Sequence, residues 1–293
     1  MPPYTHERSG YVCNLAIERR ATVRLTPAGS EPDPRPVADP LAAAALRHAG
    51  VTVAALTIDS DFPIGAGLGG SSSVGVALAA ALAHLTNQPT SPAHLAERSR
   101  TVEVEELGIA GGYQDHYAAA FGGALGLTCA HENHAEPIPL SAECIDELES
   151  CLTLVYTGES RISGETIDAV LNAYRDRSPR VVQALDRMAT LARAMRDALA
   201  GGDVKQLAAY IDEHWQHQRS LHPRISTARI DALELAVRRS GATGFKALGA
   251  SGGGSVLVCG PREATTHIRA AASTLGEVLT WQVARDGVRV RAV

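Results

Sequence analysis

One stretch limits what this chain can fold into more than any other: Pro63-Ile64-Gly65-Ala66-Gly67-Leu68-Gly69-Gly70-Ser71-Ser72-Ser73, which runs straight into the alanine-rich apolar segment Val74 to Leu85. The glycines remove side chains and permit positive φ, so main-chain N–H groups can close around an anion. The serines fall where a helix begins and where its positive dipole end points. The strand-like run Val51 to Ile58 precedes the loop. A glycine loop between a strand and a helix is built for phosphate.

Three phosphate-loop grammars compete for it. Gly65-Ala66-Gly67-Leu68-Gly69-Gly70 fits the dinucleotide pattern GxGxxG, which requires an acidic residue roughly 20 positions further on for the ribose. No Asp or Glu lies between Ser71 and Ala96, and the chain does not open with a βαβ pattern. A Walker A loop needs a lysine after its last glycine, and Ser71 stands there. A purely structural turn accounts for one or two glycines, not for four followed by three serines. A kinase-type nucleotide site is the leading expectation.

The bulk numbers agree with an ordinary globular chain. Its 293 residues allow two domains or one large one. With hydrophobic residues at 45% and aromatics at only 4%, the core must be mostly Ala, Leu and Val. The formal net charge of -5 offers no basic stripe for nucleic acid, though a local pocket can still be positive. Cys13, Cys129, Cys144, Cys151 and Cys259 are dispersed and form no CxxC pair. Such a set reads as reduced thiols. No secretory leader opens the chain, and the uncharged stretch from Phe62 to Ala96 is too interrupted by glycine, serine and proline to span a bilayer. The expectation is a cytoplasmic protein with no membrane and no nucleic-acid partner; a homodimer is left open.

Periodicity and punctuation place the elements. Strands are expected within Tyr11 to Leu25, at Val51 to Ile58, Ala124 to Cys129, Leu152 to Thr157, Phe245 to Ala247, Ser255 to Cys259 and Val288 to Val293. Helices are expected at Leu41 to His48, Val74 to Leu85, from Ser91-Pro92 towards Leu107, over Gly164 to Ala200 with a break near Ser178-Pro179, and at Val204 to Ser220 and Ser226 to Ser240. Glu31 to Pro36 and His131 to Pro139 read as loops, and Gly249 to Gly254 as a further glycine-rich loop. His131-Glu132-Asn133-His134 lacks the HExxH spacing of a zinc helix. His214 and His217, one turn apart, read as a polar helix face.

PIGAGLGGSSS resembles the second signature of the GHMP kinases (galactokinase, homoserine kinase, mevalonate kinase, phosphomevalonate kinase). Gly249-Ala250-Ser251-Gly252-Gly253-Gly254-Ser255 resembles their third. The block Gly112-Tyr113-Gln114-Asp115-His116-Tyr117-Ala118-Ala119-Ala120-Phe121-Gly122-Gly123 is similar to one in sugar-phosphate kinases of the D-glycero-D-manno-heptose 7-phosphate type, as are Val155 to Arg161 and Ile225-Ser226-Thr227. The resemblance covers nearly the whole chain. It implies an α+β fold of two domains, 1–140 (ribosomal-S5-like, with the phosphate loop) and 141–293 (ferredoxin-like), with the active site in the cleft between them.

The same resemblance implies transfer of the ATP γ-phosphoryl group to a sugar hydroxyl with Mg2+, in a reaction carried mostly by positioning and charge neutralisation. ATP would be held by Gly65, Gly67, Leu68, Gly69, Gly70, Ser71, Ser72 and Ser73. Ser71 and Glu103 would hold the metal, Glu105 and Glu106 being adjacent rivals. Asp115 matches the catalytic aspartate, which could accept the hydroxyl proton or orient the hydroxyl; an ordinary turn aspartate is the bland alternative. Tyr113, Gln114, Arg161, Gly252 and Gly253 would contribute to binding a small sugar phosphate. Lys246 either approaches phosphate or packs its stem. The third glycine loop is expected to shape the phosphate loop.

One departure stands out. The family's first signature, a strand with a basic residue and a Gly-Gly-x-x-Asp turn ahead of Pro-Pro-Tyr, has no counterpart here, since Pro2-Pro3-Tyr4 follows Met1 directly. Two expectations follow: a numbered chain that starts late, or a protein without part of the sugar site. A different GHMP activity (fucose, galactose or an isoprenoid alcohol) and a non-catalytic sugar- or nucleotide-binding homologue are the alternatives.

Overall fold

The computed structural model describes residues 3–27, 37–63, 65–109, 111–159 and 164–292. The expected loop at Glu31 to Pro36 and the candidate Arg161 lie outside the described residues. Local chemistry sets most element boundaries. The chain opens with α1 (Tyr4–Arg8), β1 (Gly10–Leu15) and β2 (Ala21–Pro27). Helix α2 (Pro40–Ala49) starts where the Asp39 side chain accepts from the Ala42 N–H and Pro40 takes the first turn, and it closes at Gly50 with φ 64°. After β3 (Val53–Ser60) comes α3 (Gly70–Leu85). Its first turn begins four residues before Val74, so the three serines lie inside the helix.

Helix α4 (Pro92–Thr101) is capped by Ser91 and runs into a π-helical turn over Val102–Glu106. Then follow α5 (Gln114–Phe121), β4 (Ala124–Cys129), β5 (His134–Ile138), α6 (Ala142–Cys151) and β6 (Leu152–Tyr156). The helical stretch after Gly164 is two helices, α7 (Gly164–Arg175) and α8 (Pro179–Gly201), broken where expected. The remainder is α9 (Val204–Ser220), α10 (Ala228–Arg239), β7 (Gly244–Ala247), β8 (Ser255–Cys259), α11 (Thr265–Ser273) and β9 (Glu277–Leu279).

Two expectations fail. His131 to Pro139 is not a loop throughout, because β5 pairs antiparallel with β4, Ala124 opposite Ile138 through Thr128 opposite His134. Pro137 hid this strand. The residue is tolerated because β5 is the edge of the order β1-β4-β5, where a missing N–H costs little. Val288 to Ala292 form no strand; the Val288 amide instead donates to the Ala120 carbonyl at 3.2 Å. The short β9 takes the edge position beside β6.

The chain divides into two compact units, each made of separate segments. One contains residues 1–14, 63–68 and 124–283. Its four-stranded antiparallel sheet, ordered β7-β8-β6-β9, turns Phe245, Ala247, Val155, Val256 and Val258 onto α9, α10 and α11. Trp215 is wholly buried there and satisfies its indole N–H on Glu234 Oε2 at 3.1 Å. The other unit contains residues 15–62, 69–123 and 284–293. Its β2–β3 ribbon sets Val23 opposite Ile58 and Leu25 opposite Leu56. These pack on Leu78 and Leu82 of α3 together with Leu46 and Val102. Helix α3 is thereby clamped along its apolar length, and its first turn becomes a fixed platform.

Candidate active site

The glycine–serine run enters α3 through backbone that only glycine adopts cheaply. Gly69 is the residue before the helix, with φ 74°. A Cβ at this position would lie 3.1 Å from the Asp115 Cβ and 3.3 Å from its Cγ. The aspartate therefore sits directly against the main chain of the loop. The first helical bond runs from the Ser73 amide to the Gly69 carbonyl at 2.9 Å, so the N–H groups of Gly70, Ser71 and Ser72 have no acceptor within the helix. They stand at the positive end of the helix dipole. Gly70 also lies close under Phe62, whose ring leaves no room for a side chain there.

The three serines divide their work. Ser73 Oγ donates back to the Gly69 carbonyl at 3.0 Å and fixes the turn. Ser72 is buried, with its Oγ 3.4 Å from His116 Nε2. Ser71 is exposed and donates its hydroxyl to Glu103 Oε1 at 2.8 Å. Leu68, the apolar member of the candidate nucleotide set, is half-buried, as is Gly67, while Gly65 is exposed.

Glu103 faces this platform because of the π turn at the end of α4, whose extra residue per turn re-aims side chains. Glu103 is 7% exposed. Its rivals Glu105 and Glu106 are both exposed, and Glu106 pairs with His48 Nδ1 at 3.2 Å. Burial pushes the Glu103 carboxyl up, but hydrogen bonds from His116 and Ser71, with the nearby Arg100 charge, outweigh it and hold the group below the usual glutamate value. An ionised carboxylate one hydrogen bond from a serine hydroxyl is a pair of hard oxygen donors. That donor set suits Mg2+, which keeps water and phosphate for its other positions.

Around the same point lie His116, Ser99 and Arg100, which sequence reasoning did not single out, and the candidates Tyr113 and Gln114. His116, in the first turn of α5, is 1% exposed. Its Nε2 lies 2.9 Å from Glu103 Oε2 and its Nδ1 2.9 Å from Ser99 Oγ. The Arg100 guanidinium stacks on the Tyr113 ring, 4.0 Å from its centroid, and its Nε is buried. Tyr113 is thus the platform for a cation. Gln114 folds its amide back over Gly112, where a Cβ would collide with it.

The third glycine loop belongs to the other unit, together with residues 63–68. A Cβ on Gly254 would lie 2.9 Å from the Ala66 carbonyl oxygen, so the two glycine loops touch there. The Gly252 amide donates to the Ile225 carbonyl at 3.0 Å. Gly253, φ 132°, has the Glu159 carbonyl where its Cβ would go. Two of the sequence blocks converge here, since Thr227 Oγ1 donates to Glu159 Oε2 at 3.0 Å. Lys246 is satisfied on Gln218 Oε1 and, at 3.2 Å, on the Ala247 carbonyl. Gln218 in turn donates to the Gly249 carbonyl at 2.9 Å. Burial pushes the Lys246 ammonium down to about 8. His214 does not belong to a solvated face: its Nδ1 is buried, and burial and the Lys246 charge hold its imidazole well below the ordinary range.

The chain is similar to known proteins over most of its length. Residues 37–123 match the GHMP kinases N terminal domain and residues 195–276 match GHMP kinases C terminal. The bifunctional fucokinase/GDP-fucose pyrophosphorylase of Arabidopsis thaliana is 27% identical over 88% of this chain, which spans only 28% of that protein. The D-glycero-alpha-D-manno-heptose 7-phosphate kinase of Campylobacter jejuni is 27% identical over 78% of this chain and 68% of its own length. The mevalonate kinase of Pyrococcus horikoshii is 29% identical over 81% of this chain and 69% of its own length. The crystal structure of a D-glycero-D-manno-heptose 1-phosphate kinase from Bacteriodes thetaiotaomicron superposes with a TM-score of 0.76 at 21% identity, covering 100% of this chain and 94% of that one. That last likeness is one of fold. Among the described residues no helix is long and apolar enough to cross a membrane.

Proposed function

The chain belongs to the GHMP kinases, and from that premise we propose that it phosphorylates the anomeric hydroxyl of a heptose 7-phosphate or a similar long-chain sugar phosphate, using ATP and Mg2+. As a member of a kinase family it is a phosphotransferase, and ATP is the donor the family implies. The observation that carries the proposal is the meeting of Asp115 with Gly69 at the head of α3, beside the Ser71–Glu103 pair. The Campylobacter heptose kinase and the blocks at Gly112 to Gly123 and Val155 to Arg161 support the choice of acceptor. We further assign 1–140 and 141–293 as its two domains, each of which contains one of the matched family regions. The cytoplasm, where ATP is supplied, is the proposed location.

Each residue then has a task. The amides of Gly70, Ser71 and Ser72 bind phosphate oxygens at the helix N-terminus. Ser71 Oγ and a Glu103 oxygen would hold Mg2+, which when bound neutralises charge on the triphosphate. Asp115 orients the acceptor hydroxyl and accepts its proton. Gly65 to Leu68 wrap the nucleotide. Tyr113, Gln114, Arg161, Gly252 and Gly253 are proposed for the sugar phosphate.

The test is ADP release across a panel of heptose 7-phosphates, hexose phosphates, fucose, galactose and mevalonate. Turnover greatest with a heptose 7-phosphate is expected. Turnover of mevalonate or fucose with none of any sugar phosphate would overturn the acceptor, and ATP binding without turnover of any acceptor would favour a non-catalytic homologue.

A further inference from the structure

We propose that His116 is a positioning residue for the metal ligand Glu103: it clamps one carboxylate oxygen so that the other faces Ser71. The inference rests on the metal role of Glu103 put forward above. Glu103 is buried, and its two oxygens have different partners, Oε1 on Ser71 Oγ at 2.8 Å and Oε2 on His116 Nε2 at 2.9 Å. A buried carboxylate with only one partner could rotate about its terminal torsion, which is broad for glutamate. The imidazole prevents this.

The ring itself is held at its far nitrogen by Ser99 Oγ at 2.9 Å. An ionised carboxylate can only accept, so Nε2 carries the hydrogen and donates it, while Nδ1 is hydrogen-bonded to the Ser99 hydroxyl, which can serve as either donor or acceptor. Ser99 reaches the ring because it lies against Gly75 in the middle of α3, where any Cβ would collide with its hydroxyl. A mid-helix glycine is costly in itself, and its place here is explained by that approach. The result is a continuous chain, Ser99–His116–Glu103–Ser71, running from the interior of α3 and α4 to the exposed head of α3. Partners of this kind, one bond removed from a metal, typically tune affinity 10–100-fold when removed.

The experiment measures Mn2+ binding by electron paramagnetic resonance in the presence of a non-hydrolysable ATP analogue, and the Mg2+ dependence of turnover. His116→Ala is expected to weaken Mn2+ binding by about 10-fold or more and to raise the Mg2+ concentration for half-maximal rate, with kcat at saturating Mg2+ largely kept. His116→Gln, whose amide can still donate to Glu103, is expected to restore most of the affinity. Mn2+ affinity in His116→Ala within about twofold of the parent, or no rescue by His116→Gln, overturns the proposal. Should His116→Ala fail to fold, Ser99→Ala carries the same test with a smaller expected loss, and an unchanged affinity there also overturns it. Glu103→Gln separates the two ideas. If it binds Mn2+ as the parent does, the metal role of Glu103 fails; if it weakens binding and His116→Ala does not, only the positioning role fails.

Discussion

Asp115 and Glu103 are both acidic residues near one helix head, yet their surroundings differ, as do the roles proposed for them. Asp115 lies against the main chain at Gly69, where an acceptor hydroxyl can meet it. Asp115→Asn keeps the shape and removes the proposed base, so kcat is expected to fall about 10²–10⁴-fold in an ADP-release assay while the melting temperature stays near that of the parent. Glu103 is held below its ordinary pKa against the opposing effect of burial. A carboxyl lowered in the folded state stabilises it above the ordinary glutamate pKa, and the contribution disappears as pH falls through the lowered value. Urea unfolding of the parent and Glu103→Gln should therefore differ most above pH ~5 and converge on further acidification below pH ~4. A difference unchanged across that window would sink this account.

Helices α3, α4 and α5 act as the frame of the site, and their contacts explain choices that propensity alone makes odd. Gly75 sits in a buried helix interior, where alanine ordinarily adds about 1 kcal/mol. Here the Ser99 hydroxyl occupies the space of a side chain. Gly75→Ala is expected to destabilise by about 1–3 kcal/mol, read as a lower urea midpoint at constant slope. The π turn over Val102–Glu106 is the second such choice. It carries Glu103 inward while leaving Glu105 and Glu106 in solvent, a distinction that three glutamates within four residues cannot announce in a periodicity.

At the level of the whole molecule, each compact unit collects segments distant in the chain. The C-terminal residues 284–293 belong with residues 15–62 and 69–123. There the Ala284 amide donates to the Ala16 carbonyl at 2.9 Å, the Gly123 amide to the Ala284 carbonyl at 2.6 Å, and Arg20 to the Gly287 carbonyl at 2.9 Å. Removing residues 284–293 costs these three bonds, that of the Val288 amide to the Ala120 carbonyl and that of Arg20 to the Asp286 carbonyl, at about 1 kcal/mol each. A loss of about 5 kcal/mol in denaturant unfolding is the expected reading. Ligand linkage supplies a second whole-molecule test. ATP with Mg2+ at 100 times its Kd should stabilise the fold by ~2.7 kcal/mol, and Asp115→Asn, which leaves the proposed phosphate cradle intact, should keep that gain.

Much was readable in the chain before any coordinates. The glycine–serine loop, the helix start at Ser91, the break at Pro179 and the closing Gly50 are all decided by a few adjacent residues, because backbone preference and end-capping act within one turn. The two glycine signatures carried the family for the same reason. Strand β5 was hidden, since its Pro137 argues against pairing until a neighbouring strand shows that the proline lies on an edge. Ser72, Ser99, Glu103 and His116 likewise gave no joint signal: they come from three helices, and their hydrogen bonds exist only once α3, α4 and α5 are packed. Main-chain geometry is a short-range property, whereas the meeting of buried polar side chains depends on how distant segments fill space together.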